Sequence, residues 1–346
     1  SSLFAIPMIL DNFRGAGCHR ADYKWSISKK SSPNPRISVE PGKASCYNTA
    51  PSWPLPVSPA PARCVSPFQD RQASMLDSFF SPRGVAVVGA SREKGKVGHD
   101  VLQNLIQYEY GGNIYPVNPK ADEILGLKCY GAVSDIPGEV DLAVLVVPAK
   151  YTVPVIEDCA KKKVKALIII TAGFKEVGRE GAELERKIVQ IARDNKIRII
   201  GPNCLGLINT ETNLNASFAA GMPEKGSIAF LSQSGAFGTA VLDWAIGEGI
   251  GFSKFISVGN KADVDETDLV EAIGQDKDSA VVLGYIEAVE DGPKFMQVAR
   301  RVSKKKPVII FKSGGSEAGA RAASSHTGAL AGSDKAYDAA FRQSGI

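Results

Sequence analysis

Short runs of β-branched and apolar residues alternate with amphipathic stretches over residues 75–346. A two-residue period that keeps giving way to a 3.6-residue period predicts strand–helix–strand units on parallel sheets. One series of strands is expected at Gly84–Gly89, Asn113–Val117, Val140–Val147, Lys165–Thr171 and Arg198–Gly201. A second is expected at Ser227–Ser232, Lys254–Val258, Ala280–Ile286 and Pro307–Lys312. Helical spacing of apolar positions falls between them, at Val97–Tyr108, Glu180–Asn195, Ala236–Gly247 and Pro293–Lys304. Ile208–Lys225 is polar and low in periodicity, so the boundary between two doubly wound α/β domains, 75–207 and 226–346, is placed there. The pattern stops at Ile346 after a helical segment with no closing strand, as expected of a piece of something longer.

Residues 1–74 follow no such pattern. They hold 10 of the 20 prolines, 12 serines and only 3 of the 34 glycines. A segment of this kind buries too little apolar surface to offset the entropy of ordering, so a disordered or non-native leader is expected, with Met75 as the functional start. The leader is basic and serine-rich, but its prolines argue against the amphipathic helix of a targeting peptide. It carries nine Lys/Arg against four Asp/Glu. The remainder of the chain is therefore nearly neutral despite an overall net charge of +4, which removes the main support for nucleic-acid binding. The whole chain's length of 346 residues suits two domains, each able to bury its own core. No apolar run approaches the roughly 20 residues that span a bilayer, so no membrane association is expected. Six cysteines without a CxxC pair give neither a zinc site nor a disulfide framework, and a cytoplasmic location is the expectation.

The first strand runs through Gly89-Ala-Ser-Arg-Glu-Lys-Gly-Lys-Val-Gly98 into a helix. A glycine-rich turn there lets backbone N–H groups approach a pyrophosphate at a helix start, although the spacing is not GxGxxG. Recognition of NAD would place an acidic residue at the end of the second strand. This chain has Pro116-Val-Asn-Pro-Lys120 instead. Lys120 with Arg92, Lys94 and Lys96 makes a cationic pocket that suits the extra phosphate of coenzyme A better than NAD, while charge alone leaves NADP open. Val147-Pro148 and Thr171-Ala-Gly-Phe174 end later strands, at the carboxyl edge where ligands bind in open α/β sheets. In the second domain, Leu231-Ser-Gln-Ser-Gly235 leads a strand into a helix, so that Ser232 or Ser234 could cap it and the Gly235 amide could hold a phosphoryl group. His326, one of three histidines, lies in Ser324-Ser-His-Thr-Gly328, among residues too small for a core. His19 and His99 have no comparable setting. A phosphoryl-accepting histidine needs a carboxylate on its other nitrogen, and Glu287, Glu290 and Asp291 are the candidates.

These motifs, with Gly201-Pro-Asn-Cys-Leu-Gly206, form an ordered set. From Met75 to Ile346 the set resembles the α part of ADP-forming acetyl-CoA synthetases, relatives of the succinyl-CoA synthetase α subunit. The resemblance implies a Rossmann-like domain that binds coenzyme A through Gly89, Ser91, Arg92, Lys94, Gly95, Val117, Lys120, Thr171, Ala172 and Gly173. A flavodoxin-like succinyl-CoA-synthetase-type domain would follow, with His326 as the phosphohistidine and Glu287 holding it. Asn203, Ser234, Gly235, Thr327 and Gly328 would bind phosphate. Ser-His-Thr-Gly favours the acetate-type branch over the Gly-His-Ala-Gly-like setting of succinyl-CoA synthetases. The implied activity converts acyl-CoA, ADP and phosphate reversibly to carboxylate, coenzyme A and ATP. ADP or ATP with Mg2+ would sit on an ATP-grasp β subunit or domain that follows nowhere in this sequence, making the protein one part of a hetero-oligomer. The alternative is a non-catalytic coenzyme A-binding module of a protein acyltransferase, which would not need His326 and Glu287. An NADP-dependent oxidoreductase lacks a residue pair suited to hydride chemistry.

Overall fold

In β1 (Gly84–Val88) every residue is buried, as a central strand covered on both faces requires. The computed structural model of the chain describes residues 76–314 and 334–346. The expected leader, and His326, Thr327 and Gly328, lie outside the described residues. The two faces of β1 belong to different cores. Val85 and Val87 pack with Val101, Leu102 and Leu105 of α2 (Val97–Gln107), after a one-turn α1 at Asp77–Phe80. Ala86 and Val88 pack with residues of α3 (Thr152–Lys161) and α4 (Arg179–Asp194).

The first sheet adds β2 (Asn113–Val117), β5 (Leu142–Leu145), β6 (Ala166–Ile169) and β7 (Arg198–Ile200) in the order β2-β1-β5-β6-β7, all parallel. The strand order reverses between β1 and β5, which opens a crevice at their carboxyl ends. A small hairpin of β3 (Glu123–Ile124) and β4 (Leu127–Lys128) follows β2.

The second sheet runs β13-β12-β10-β11-β8-β9. Its parallel strands are β10 (Lys225–Ser232), β11 (Phe252–Ser257), β12 (Val281–Ile286) and β13 (Val308–Lys312). They alternate with α5 (Gly235–Gly247), α6 (Glu266–Gln275) and α7 (Gly292–Ser303), and α8 (Asp334–Ser344) packs on α7. Here the reversal lies between β10 and β12. Phe230, Phe252 and Phe255 fill the space beneath α5, and deleting a buried phenylalanine such as Phe255 costs about 3–5 kcal/mol.

The segment Ile208–Lys225, in which the boundary was expected, holds strands that its low periodicity did not show: β8 (Gly206–Asn209) and β9 (Leu214–Ser217) form an antiparallel hairpin on the edge of the second sheet. Its polar residues are buried and bonded. Asn209 donates to the Phe80 carbonyl at 2.7 Å, and Thr210 to that of Phe252 at 2.6 Å.

The two sheets are joined rather than tethered. The chain after β11 lies along the edge of β7, where the Val264 and Ala262 amides donate to the Ile199 and Gly201 carbonyls at 3.0 Å each. Arg198 of β7 pairs with Asp263 and Asp268 at 2.8 Å each. From α2, Asn104 donates to the Ser217 and Ala219 carbonyls at 2.9 Å each. One continuous core runs from Val85 through Leu207 to Phe295. Among the described residues no helix is long and apolar enough to cross a membrane.

Candidate functional site

At the first sheet's reversal the chain leaves β1 through Gly89, whose φ of +94° admits few side chains. The start of α2 packs directly on this turn. A Cβ added to Gly98 would lie 2.1 Å from the Gly89 carbonyl oxygen, so glycine is what allows the helix start to approach the strand end. Asn118 braces the turn from β2, donating to the Ala90 carbonyl at 2.8 Å and accepting from the Lys120 amide at 2.9 Å. Around this frame the polar groups are open. Lys94 and Lys120 are exposed, Gly95 has free space beside it, and Arg92 reaches the Glu123 carbonyl at 2.9 Å. Lys96 is partly engaged by Glu93 at 3.8 Å. The Ser91 hydroxyl accepts from the Glu93 amide at 3.1 Å.

Three expected contacts sit differently from a simple ligand lining. Val117 has its side chain in the core and its carbonyl bonded to the Gly89 amide at 2.9 Å, so it shapes the turn. The Thr171 hydroxyl donates to the Val147 carbonyl at 2.6 Å, tying the ends of β5 and β6 together. The Gly173 amide donates to Glu176 at 2.5 Å. His99 is buried on α2 with Asp100 at 3.1 Å, a structural setting.

In the second domain the choice between Ser232 and Ser234 resolves. Ser234 is the N-cap of α5, its hydroxyl accepting from the Phe237 amide at 3.3 Å, whereas Ser232 is buried and donates to the Ser234 carbonyl at 2.7 Å. The first amides of α5, at Gly235 and Ala236, stand at the helix end where N–H groups lack intrahelical partners and anions are favoured. Of the three carboxylates, Asp291 caps α7 by accepting from the Lys294 amide at 3.0 Å. Glu287 follows β12 directly, and both it and Glu290 face the cleft described next.

A cleft of about 1090 Å³ lies between the carboxyl edges of the two sheets. The first domain lines it with Val147, Pro148, Thr171, Ala172 and Asn203; the second lines it with Gln233, Ser234, Gly235, Lys261 and Glu287. The cleft thus brings together Thr171, Ala172, Asn203, Ser234, Gly235 and Glu287. Gly89, Ser91, Arg92, Lys94, Gly95, Val117, Lys120 and Gly173 are not among its lining residues. The turn at Gly89 adjoins the cleft wall, since a Cβ there would meet Val146 and Val147 at 3.1 Å each. Burial pushes the Cys204 thiol in the wall up to about 12, which favours its neutral form.

Several site residues were not anticipated from the sequence. The Gln233 side-chain oxygen accepts from the Glu287 and Ala288 amides at 2.8 and 3.0 Å, fixing the loop that bears Glu287. Asn260 donates to Glu176 at 2.6 Å and to Glu185 at 2.9 Å, linking the second domain to the Thr171–Phe174 turn. Burial alone would push the Glu176 carboxyl up. Hydrogen bonds from Asn260 and from the Gly173 and Phe174 amides outweigh it and hold Glu176 below the usual carboxylate range. Lys261 and Glu266 form a buried pair at 3.2 Å, and burial pushes the Glu266 carboxyl up despite that ammonium. The Gln233 signal lay within Ser-Gln-Ser-Gly. The other residues carry no local signal.

A coenzyme A binding domain family matches residues 83–210, and a succinyl-CoA ligase like flavodoxin domain matches residues 225–346. Among curated relatives, acetate–CoA ligase (ADP-forming) I of Archaeoglobus fulgidus is 54% identical over 271 residues, covering 78% of this chain and 39% of that protein. The α subunit of acetate–CoA ligase (ADP-forming) II of Pyrococcus furiosus is 53% identical over 272 residues, covering 79% of this chain and 59% of that protein. An acetyl-coenzyme A synthetase of Ca. Korarchaeum cryptofilum, solved in complex with phosphate and ADP, superposes with a TM-score of 0.76 at 46% identity, covering 78% of this chain and 58% of that one. The chain thus spans between about two fifths and three fifths of the length of these relatives.

Proposed function

The chain belongs to the family of the α part of ADP-forming acetate–CoA ligases, within the succinyl-CoA synthetase α-like superfamily. From that premise we propose that it carries the acyl-CoA and phosphohistidine half of a ligase converting acetyl-CoA or a similar acyl-CoA, ADP and phosphate reversibly to carboxylate, coenzyme A and ATP. The observation that carries this reading is the shared cleft. Glu287 and the capped start of α5 face the coenzyme A edge of the first domain across a single space.

Coenzyme A would lie at the turn after β1, its phosphates near the amides beside Gly95 and the ammonium groups of Lys94 and Lys120, and its thioester directed into the cleft past Thr171 and Ala172. Inorganic phosphate, held by the Gly235 amide and Asn203, attacks the thioester carbonyl. The C–S bond breaks and the thiolate leaves, giving an acyl phosphate. A His326 ring nitrogen then attacks phosphorus, the carboxylate departs, and Glu287 orients the ring through its other nitrogen and balances the imidazolium charge. Thr327 and Gly328 would contribute to phosphate binding beside it.

Transfer to ADP would take place on an ATP-grasp partner subunit or domain, with Mg2+ accompanying the nucleotide. A hetero-oligomer in the cytoplasm follows from the same reading. Mass spectrometry of the full chain after incubation with acetyl-CoA and phosphate tests it. One added phosphoryl group, absent from His326→Ala, is expected. An unmodified chain that still binds coenzyme A would favour the non-catalytic binding module instead.

A further inference from the structure

Two side chains, Gln233 and Lys261, converge on the backbone just after Glu287, and a third, Glu266, holds both of them. The Gln233 side-chain amide accepts from the Glu287 and Ala288 N–H groups and donates to the Ala288 carbonyl at 2.9 Å and to Glu266 at 3.0 Å. The Lys261 ammonium donates to the same Ala288 carbonyl at 2.9 Å and pairs with Glu266 at 3.2 Å. The Ala288 carbonyl is therefore held by a neutral donor and by a cation.

Lys261 is an expensive residue for this place. Its side chain is 9% exposed, beside a Glu266 side chain that is 1% exposed, and burying such charges costs several kcal/mol per ion before their attraction is counted. Its backbone φ is +56°, a left-handed conformation that glycine or asparagine adopts more readily. A residue serving only to fill space would avoid both penalties. Their coincidence on the wall of the cleft marks a site where an ammonium group is needed.

The need follows from charge. Glu287 and an incoming phosphate are both anionic and share one cleft, so their repulsion pushes the Glu287 loop away from the start of α5. Resisting that displacement requires an anchor stronger than a neutral amide, and charge-assisted hydrogen bonds are roughly twice as strong as neutral ones.

Resting on the phosphoryl-transfer reading above, we propose that Lys261 is a positioning residue for that step: its ammonium, itself held by Glu266, clamps the Ala288 carbonyl so that Glu287 keeps its distance from the phosphohistidine site. Lys261 touches neither coenzyme A nor phosphate in this role. Its loss should slow the chemistry without weakening coenzyme A binding.

The test uses the full chain with acetyl-CoA and radiolabelled inorganic phosphate, following acid-labile label on His326 over time. In Lys261→Met the rate constant of labelling is expected to fall about 10- to 100-fold, the range typical of residues that orient a catalytic group, with the concentration of acetyl-CoA giving half the maximal rate unchanged. Lys261→Arg, which keeps the cation, is expected to restore much of the rate. A lone Glu266 left in the core would destabilise Lys261→Met, so the double variant Lys261→Met/Glu266→Gln serves as the control for folding. It should recover thermal stability and remain slow. Labelling in that double variant at the unaltered rate, or an equal loss of coenzyme A affinity in Lys261→Met, overturns the proposal. Absence of label on the unaltered chain overturns the phosphoryl-transfer reading and this inference with it.

Discussion

The carboxyl edges of the two sheets answer the same topological opportunity in opposite ways. At the β1 turn the frame is glycine and backbone, and the charged groups, Lys94 and Lys120 among them, stand exposed. At the β10–β12 turn the frame is itself a network of polar side chains, the half-buried Gln233 with the buried Lys261–Glu266 pair, each bonded to another or to the Glu287 loop. An open, glycine-built edge suits a large soluble ligand that brings its own shape and charge. A closed, mutually satisfied edge suits a step that depends on fixed distances. Under the proposed function, the first switch point would serve capture and the second would serve chemistry.

The contrast breaks most visibly in stability. Glu266→Ala is expected to cost about 3–5 kcal/mol, because it strands the buried Lys261 ammonium and unpins Gln233. The corresponding change at the open edge, Lys120→Ala, should stay within about 0.5 kcal/mol, as for an exposed side chain. Urea unfolding of both variants checks the pair, and similar losses at the two sites would remove the distinction.

Gly98→Ala attacks the open edge through its backbone. The new methyl would press on the Gly89 carbonyl oxygen, so α2 must shift, at an expected cost of about 1–3 kcal/mol. Calorimetry should show weakened coenzyme A binding in the same variant.

How much of this was legible follows from sequence distance. The Val-Ala-Val-Val run of β1 and the apolar stripe of α4 carry their period within a single window, and the structure places both within a residue or two of expectation. Pro154 in the first turn of α3 disguised that helix, although the position tolerates proline because the first N–H groups have no partner there. Strands β8 and β9 were missed because Asn209, Thr210 and Asn215 look solvated until their partners are known. The site divides in the same manner. Ser234 and Glu287 were legible because they sit at strand ends, where topology sends ligands. Lys261 meets Ala288 27 residues away and Asn260 meets Glu176 84 residues away, pairings that no local window contains.

A smaller effect concerns the capture edge alone. Lys120→Ala is expected to shrink the preference for coenzyme A over dephospho-coenzyme A by about 1 kcal/mol, the scale of one charge-assisted contact. Equal affinities of the unaltered chain for both ligands would refute the assignment of Lys120.

The smallest expected effect is on pH. Glu176 has its folded carboxyl held below the usual range, so its contribution to stability is present above the ordinary carboxylate pKa and is lost as pH falls through the depressed value. Glu266 is shifted up, so its contribution is present below the ordinary pKa and fades as pH rises through the raised one. Denaturant midpoints measured below about pH 5 should therefore vary less in Glu176→Gln than in the unaltered chain. An unchanged profile would deny Glu176 that role.

The division between capture and chemistry is tested most directly by a single variant read two ways. In Glu287→Gln, coenzyme A affinity by calorimetry should match the unaltered chain, while the rate of acid-labile labelling by acetyl-CoA and phosphate falls on the order of 100-fold. Loss of both together, or of neither, would contradict the account.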